Sequence, residues 1–358
     1  MAYHTTPYLL LFLPAALLFY QITPAKWRSY TLLIFSYLFF WSFSEKLIIY
    51  LIGTTFLTHH ICIWMDTMDK RDKRKKRVFQ LGILLLLGTI LCLKYRNFFF
   101  GNVSKLAMVL HIDWSYQDQL IFLPIGISFY TLSAIGYMAD VYWGKVKAEY
   151  SLVKTALFLG FFPVIVEGPI CRWEDVEDTL FKNESVKAEN VFKGCYRIIW
   201  GLFKKMIIAD RLAVLVDKVY VGYESYSGAV IVVAAISYTI QLYMEFSGCM
   251  DMVIGSAGLF GIRLPENFSQ PFFAKTCTDF WKRWHITLGV WFKNYIFYPV
   301  SISKTARKWN KFTRKHFKGD FGKYVARMGI AAMALFPVWI SNGLWHGPKW
   351  NYIFYGLY

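Results

Sequence analysis

Ile330-Ala331-Ala332-Met333-Ala334-Leu335-Phe336-Pro337-Val338-Trp339-Ile340 runs directly into Ser341-Asn342-Gly343-Leu344-Trp345-His346-Gly347. The first part carries no charge and is long enough to take the second into a bilayer. An ionisable side chain there is costly unless it is paired or faces a wet cavity. An intramembrane histidine is therefore a functional candidate by default. Imidazole is also the side chain best suited to moving a proton near neutral pH. The flanking glycines let another backbone or a substrate come close. His346 is read as the chemical centre, and a membrane protein as its frame.

The composition agrees with that frame. The 358 residues are 56% hydrophobic, 20% aromatic and 18% charged, with a mean hydropathy of +0.36. A soluble domain is nearer about half apolar and about a quarter charged. The net charge of +17 would suit nucleic acid. The basic residues, however, cluster in short segments between apolar runs, the pattern that orients membrane proteins, so no nucleic-acid partner is expected. Cys62, Cys92, Cys171, Cys195, Cys249 and Cys277 form no C-x-x-C pair. They read as small apolar residues rather than disulfides or metal ligands.

The spans follow in order. Pro7 to Tyr20, Trp27 to Phe43 and Leu47 to Met65 are apolar. The segment Lys70-Arg71-Asp72-Lys73-Arg74-Lys75-Lys76-Arg77 then places seven basic residues in eight positions. It is expected in the cytoplasm, which puts the N-terminus outside after three spans. Val78 to Leu93 is the next span, residues 97 to 118 look interfacial, and Leu120 to Val141 spans again. Leu152 to Ile170 is apolar but interrupted by Pro163, Glu167, Gly168 and Pro169, which predicts a broken or re-entrant helix. Arg172 to Lys193 reads as an exposed loop. Gly194 to Tyr220 is a partly interfacial span, and Ser227 to Phe260 is a long apolar segment broken by Gln241, Glu245 and Asp251.

Arg263 to Asp279 is not a clean span, and Phe280 to Val300 is apolar but holds Lys282, Arg283 and His285. Lys304 to Arg327 has nine Lys or Arg against Asp320 alone and reads as a second cytoplasmic loop. The run from Trp350 stops at Tyr358, too short to cross a bilayer, so the chain is expected to be truncated at its C-terminus. No internal repeat is visible. Residues 1–358 are read as one transmembrane domain.

The sequence has no G-x-S-x-G, H-E-x-x-H, Walker or G-x-G-x-x-G motif. Gly255, Gly258 and Gly261 are spaced for helix packing rather than phosphate binding. Of the histidines, His285 and His346 fall within apolar segments. A satisfied core histidine beside Trp281 and Trp284 is the plain alternative for His285. Glu245 and Asp251 read as buried charges paired with an Arg or Lys, such as Arg263 or Arg283, rather than as catalytic groups.

Four segments together carry a resemblance: Tyr238 to Asp251 (YTIQLYMEFSGCMD), Leu264-Pro265-Glu266-Asn267-Phe268, Asp279 to Leu288 (DFWKRWHITL) and Gly343-Leu344-Trp345-His346-Gly347. The chain resembles the membrane-bound O-acyltransferase (MBOAT) family. Within it, the similarity is to the bacterial branch of the alginate O-acetylation membrane protein and the teichoic-acid D-alanyl transferase. Phe161-Phe162-Pro163 and Gly168 to Arg172 fit the same branch, and the resemblance runs the length of the chain. One departure is Phe292-Lys293-Asn294-Tyr295, where the branch usually has an Arg-Asp pair. Lys293 keeps the charge without the bidentate fork.

The resemblance implies an all-α polytopic bundle of about ten transmembrane and re-entrant helices around a central tunnel, in the inner (cytoplasmic) membrane. It implies His346 as the essential histidine and His285 as a supporting one. Acyl transfer to a hydroxyl needs a base for the proton and donors for the carbonyl oxygen. Asn342 is placed to orient His346 or to donate. Trp345 and Trp281 are further donor candidates, and Arg283 is a supporting residue. No tightly bound cofactor or metal is expected. The donor would be acetyl-CoA or an acyl-carrier thioester. Partners would be membrane lipid, an acyl carrier protein at the basic cytoplasmic face, an extracytoplasmic acyltransferase and a polysaccharide acceptor. Acetyl transfer is preferred to D-alanyl transfer. A transporter or flippase with a histidine proton relay is the rival from another class.

Overall fold

A computed structural model describes residues 2–69 and 72–357, and no strand occurs among them. In chain order the helices are α1 (Leu13–Ile22), α2 (Arg28–Ser44), α3 (Ile48–Asp66), α4 (Lys73–Ile90), α5 (Arg96–Val109) and α6 (Ile127–Trp143). Then come α7 (Leu152–Gly160), α8 (Trp173–Leu180), α9 (Ala188–Leu202), α10 (Asp210–Val221), α11 (Gly228–Leu259) and α12 (Cys277–Arg283). The last are α13 (Ile286–Phe292), α14 (Tyr298–Ser301), α15 (Lys304–His316), α16 (Gly319–His346) and α17 (Trp350–Leu357). Wide turns at Pro7–Phe12, Leu91–Tyr95, Phe203–Ala209 and Lys293–Phe297 join neighbouring pieces without breaking the helical path. The protein is an all-α polytopic membrane protein. Four helical stretches among the described residues are long and apolar enough to cross a bilayer: Ala25–Asp66, Lys73–Val109, Gly228–Leu259 and Gly319–His346.

The chain divides into two compact units. The first comprises Met1–Asp69 and Pro124–Thr287, the second Lys70–Leu123 and Leu288–Tyr358. The first unit is built on an aromatic cluster of Tyr3, Tyr8, Phe12, Phe39 and Phe162. Its buried hydroxyls are satisfied: Tyr3 donates to the Phe162 carbonyl at 3.0 Å and Tyr8 to Ser256 at 2.9 Å. Such partners matter because a buried polar group left alone costs more than its bond returns. α6 begins at Gly126, where φ is +79° and a Cβ would sit 1.8 Å from the Ile165 carbonyl oxygen. Only glycine fits there.

Helices α9 and α11 cross at glycines spaced seven apart on each. A Cβ on Gly201 would lie 2.5 Å from the Gly248 carbonyl oxygen, and one on Gly194 would lie 2.8 Å from that of Gly255. Small residues allow this approach, which gains dispersion contacts where lipid offers no hydrophobic drive. Of the three glycines expected to pack helices, Gly255 does so. Gly258 faces open space and Gly261 turns the chain at φ +76°.

In the second unit α15 packs on α16. Trp309 donates to the Val325 carbonyl at 3.4 Å, and a Cβ on Gly329 would strike the Trp309 indole. Further along α16, a Cβ on Gly343 would lie 2.3 Å from the Tyr352 carbonyl oxygen, where α17 crosses.

Several sequence expectations change. Residues 97 to 109 continue the helical stretch through α5, whereas the chain from 113 to 126 is irregular and α6 starts only at Ile127, not at Leu120. The polar residues of α5 hid its helical path. Arg172 to Lys193 is not all loop. It holds α8, whose Trp173, Val176 and Leu180 are buried, and it opens α9. Lys304 to Arg327 is likewise helical. Ala306 and Thr313 of α15 are buried while the basic residues fill its other faces. The predicted break in Leu152 to Ile170 occurs at Phe161, after α7. Lys70 and Arg71 of the first basic segment lie outside the described residues, while Asp72 caps α4 by accepting from the Arg74 amide at 2.7 Å.

Candidate active site

His346 is the last residue of α16. The last carbonyls of a helix lack intrahelical donors and carry the negative end of its dipole. Two residues of the Leu91–Tyr95 turn meet this need. Lys94 Nζ donates to the Trp345 carbonyl at 2.6 Å, and the Tyr95 hydroxyl donates to the Leu344 carbonyl. The imidazole itself stacks on Tyr352 at 5.7 Å and stands edge-on to Trp345 and Tyr355. The residue is exposed, and among the described residues no hydrogen bond holds its ring. Asn342 lies one turn earlier, buried at 9% exposure, with its amide against the Tyr355 hydroxyl. Its carbonyl oxygen has no donor among the described residues. The structure thus brings His346, Asn342 and Trp345 together on the last turns of one helix.

His285 is built differently. It is 7% exposed and sits between α12 and α13. Its φ of +45° lies in the left-handed region, which a non-glycine residue adopts only when its surroundings impose it. Those surroundings are the Leu264–Phe268 segment. The Ile286 amide donates to the Asn267 carbonyl at 2.9 Å, and the Ser269 amide to the Arg283 carbonyl at 3.0 Å. His285 Nδ1 lies 3.1 Å from Asn267 Oδ1. Phe246 packs edge-on to the imidazole at 4.8 Å.

Trp281 and Arg283 lie on α12 beside His285 in sequence, but Arg283 is committed to Asp279, one turn away, at 3.0 Å. Arg283 therefore does not pair with Glu245 or Asp251, and neither does Arg263. Asp251 accepts from Lys204 at 2.6 Å and Arg197 at 3.1 Å, and Glu245 from Lys205 at 2.8 Å. Arg197 also grips Glu266 with both guanidinium nitrogens, at 2.7 and 2.6 Å. The reason is the α9–α11 crossing, which sets Arg197 of α9, and Lys204 and Lys205 of the turn that follows it, against the carboxylates of α11. These carboxylates are ion-paired, as expected, but their partners come from 40 or more residues away.

Asn267 is the residue that sequence reasoning passed over. Among the polar residues Arg263, Glu266, Ser269 and Gln270 around it, nothing in the sequence set Asn267 apart.

Comparison with known proteins bears on this geometry. The model of the MBOAT, membrane-bound O-acyltransferase family matches residues 146–314, which include His285. The chain is 31% identical over 358 residues to a probable alginate O-acetylase of Pseudomonas putida, covering 100% of this chain and 69% of that protein. It is 28% identical over 389 residues to a peptidoglycan O-acetyltransferase of Helicobacter pylori, covering 99% and 68%. Against a teichoic acid D-alanyltransferase of Bacillus subtilis it is 29% identical over 240 residues, covering 65% and 56%. The chain spans 64 to 69% of the length of the alginate O-acetylases it matches.

Proposed function

The chain belongs to the membrane-bound O-acyltransferase family of acyl-transferring enzymes, and from that premise we propose that it transfers an acetyl group to a hydroxyl of an exported polysaccharide or cell-envelope polymer. The donor is a thioester on the cytoplasmic side, acetyl-CoA or an acyl-carrier thioester, and the acceptor meets it from outside through a tunnel. His346 takes the proton of the acceptor hydroxyl. The hydroxyl oxygen forms the new C–O bond, the C–S bond breaks, and the thiolate leaves with the proton that His346 held. His285 supports the site.

The observation that carries this reading is the placement of His346. It ends an apolar helix with the Leu344 and Trp345 carbonyls already satisfied and, among the described residues, no hydrogen bond on its ring, so the imidazole is available to a substrate. General acid–base catalysis asks for that availability. The choice of acetyl follows the alginate and peptidoglycan O-acetylating relatives. D-alanyl transfer to teichoic acid is the second reading, favoured by the Bacillus subtilis relative. The protein sits in the inner membrane with its N-terminus outside and its basic segments inside. An acidic carrier or coenzyme A docks on those segments, and an extracytoplasmic acyltransferase takes part in the final transfer.

The test is chemical. Protein reconstituted in vesicles is given labelled acetyl thioester on one side and an acceptor oligosaccharide on the other. Label on the acceptor with loss of the thioester is expected. Movement of a substrate with no acylated product in the parent would instead favour the transporter.

A further inference from the structure

The Leu264-Pro265-Glu266-Asn267-Phe268 segment has no part in the reaction above, yet Asn267 is 1% exposed and its side-chain oxygen is the meeting point of three hydrogen bonds. Their directions can be worked out. The Thr287 amide lies 3.1 Å from Asn267 Oδ1. A backbone N–H only donates, so the Asn267 atom facing it is the oxygen, and the amide cannot be flipped. The Thr287 hydroxyl accepts from the Ile170 amide at 3.1 Å and gives its own proton to the same oxygen at 2.9 Å. Asn267 Nδ2 is turned away, toward Met250 Sδ at 3.2 Å.

The third contact is His285 Nδ1, at 3.1 Å. An amide oxygen can only accept, so Nδ1 must carry the proton. A neutral imidazole has one N–H, which leaves the lone pair on Nε2. The same segment also fixes the backbone, because Asn267 O accepts from the Ile286 amide and holds His285 at its left-handed φ. Ring and backbone are therefore clamped by one residue. Neither Asn267 nor the edge-on Phe246 titrates.

We propose that Asn267 is a positioning residue that holds His285 as its Nδ1–H tautomer, so that neutral His285 presents a proton acceptor at Nε2 and not a donor to the developing oxyanion. The inference rests on the acyl-transfer reading and refines the role of His285 within it. Thr287 and the Ile170 amide complete the relay that keeps the Asn267 oxygen in place.

Asn267→Asp tests this with little change of shape. A carboxylate accepts the same three hydrogen bonds but favours the imidazolium. A neighbouring opposite charge typically moves a pKa by about 1 to 3. The acid limb of the acyl-transfer pH profile should move to higher pH by about 1 or more. Asn267→Leu should lower the rate by about 10²-fold, the scale of loss when a group at the site is misplaced. Both effects should vanish in a His285→Ala background, because residues acting through one another are not additive. An Asn267→Asp profile in the parental position, or losses that add to that of His285→Ala, would overturn the proposal and leave acyl transfer standing. If Asn267→Leu does not fold, Asn267→Asp alone decides. A parent with no acyl transfer at all would instead overturn the reading on which the proposal rests.

Discussion

The two units each hold one of the predicted histidines, and they hold it by opposite means. In the first, His285 is buried on a kinked connection, with its backbone and one ring nitrogen tied to Asn267. In the second, His346 ends a long helix whose Leu344 and Trp345 carbonyls are capped by Tyr95 and Lys94, and its ring packs on aromatic faces and edges with no hydrogen bond among the described residues. The first arrangement fixes a tautomer and a direction. The second leaves both nitrogens able to exchange protons with a substrate. The difference teaches that two histidines singled out in the sequence need not share a task. The tethered one suits support and the untethered one suits proton transfer.

The scaffolds around them differ too, and substitutions can break that contrast. Asp251 sits in the first unit with its side chain 12% exposed, against Lys204 at 14% and Arg197 at 30%. Asp251→Ala should cost about 3 to 5 kcal/mol, the range for removing one partner of a buried pair. In the second unit Asp320, 96% exposed beside Lys323, should cost nothing measurable when changed to Asn. Thermal melting of the purified variants would read both. Equal shifts would mean that the ion network does not distinguish the units.

Gly343→Val is the next largest. Its Cβ would press on the Tyr352 carbonyl from 2.3 Å, and overpacking costs about 1 to 3 kcal/mol. Gly258→Ala in α11 meets nothing within 4 Å and should leave the melting temperature unchanged or slightly raised. The same melting series distinguishes a tight α16–α17 crossing from a loose one.

The smallest effect concerns Asp72. Its carboxylate is held below the usual range first by the Arg74 amide and then by the Arg74 side chain. A lowered folded pKa contributes stability above the unfolded value near 4, and loses it as pH falls through the folded one. Asp72→Ala should lower the melting temperature slightly at pH 7 and leave it unchanged at a pH below the folded value. A loss of equal size at both would mean that the cap does not act through its charge.

Much of this was legible in the sequence. Long uncharged runs are the strongest signal a chain can carry, so α11 and α16 were visible, and Pro163 with Gly168 marked the break after α7. The motif residues placed both histidines, Asn342 and Trp345 at the outset. Charge misled where it coexisted with periodicity. Lys304 to Arg327 looked like a loop because nine basic residues outweighed the helical spacing of Ala306, Trp309 and Thr313. Long-range partners were not legible. Arg197 and Asp251 lie 54 residues apart, and only the glycine crossing of α9 and α11 brings them together. The Asp279–Arg283 pair, four apart on one helix, could have been read from spacing and would have removed Arg283 from the list of partners for Asp251. Asn267 escaped because its importance lies in three hydrogen bonds made after the chain folds.

The central claim is that His346 is the base for acyl transfer. Parent and His346→Ala protein, reconstituted from equal amounts of inserted and purified material, would be compared for labelled acetyl on an acceptor hydroxyl. A fall of about 10²- to 10⁴-fold is predicted, the usual contribution of a general base, with melting temperature unchanged because the exposed ring adds little packing. A His346→Ala variant with near-parental turnover would contradict the account and pass the role of base to His285.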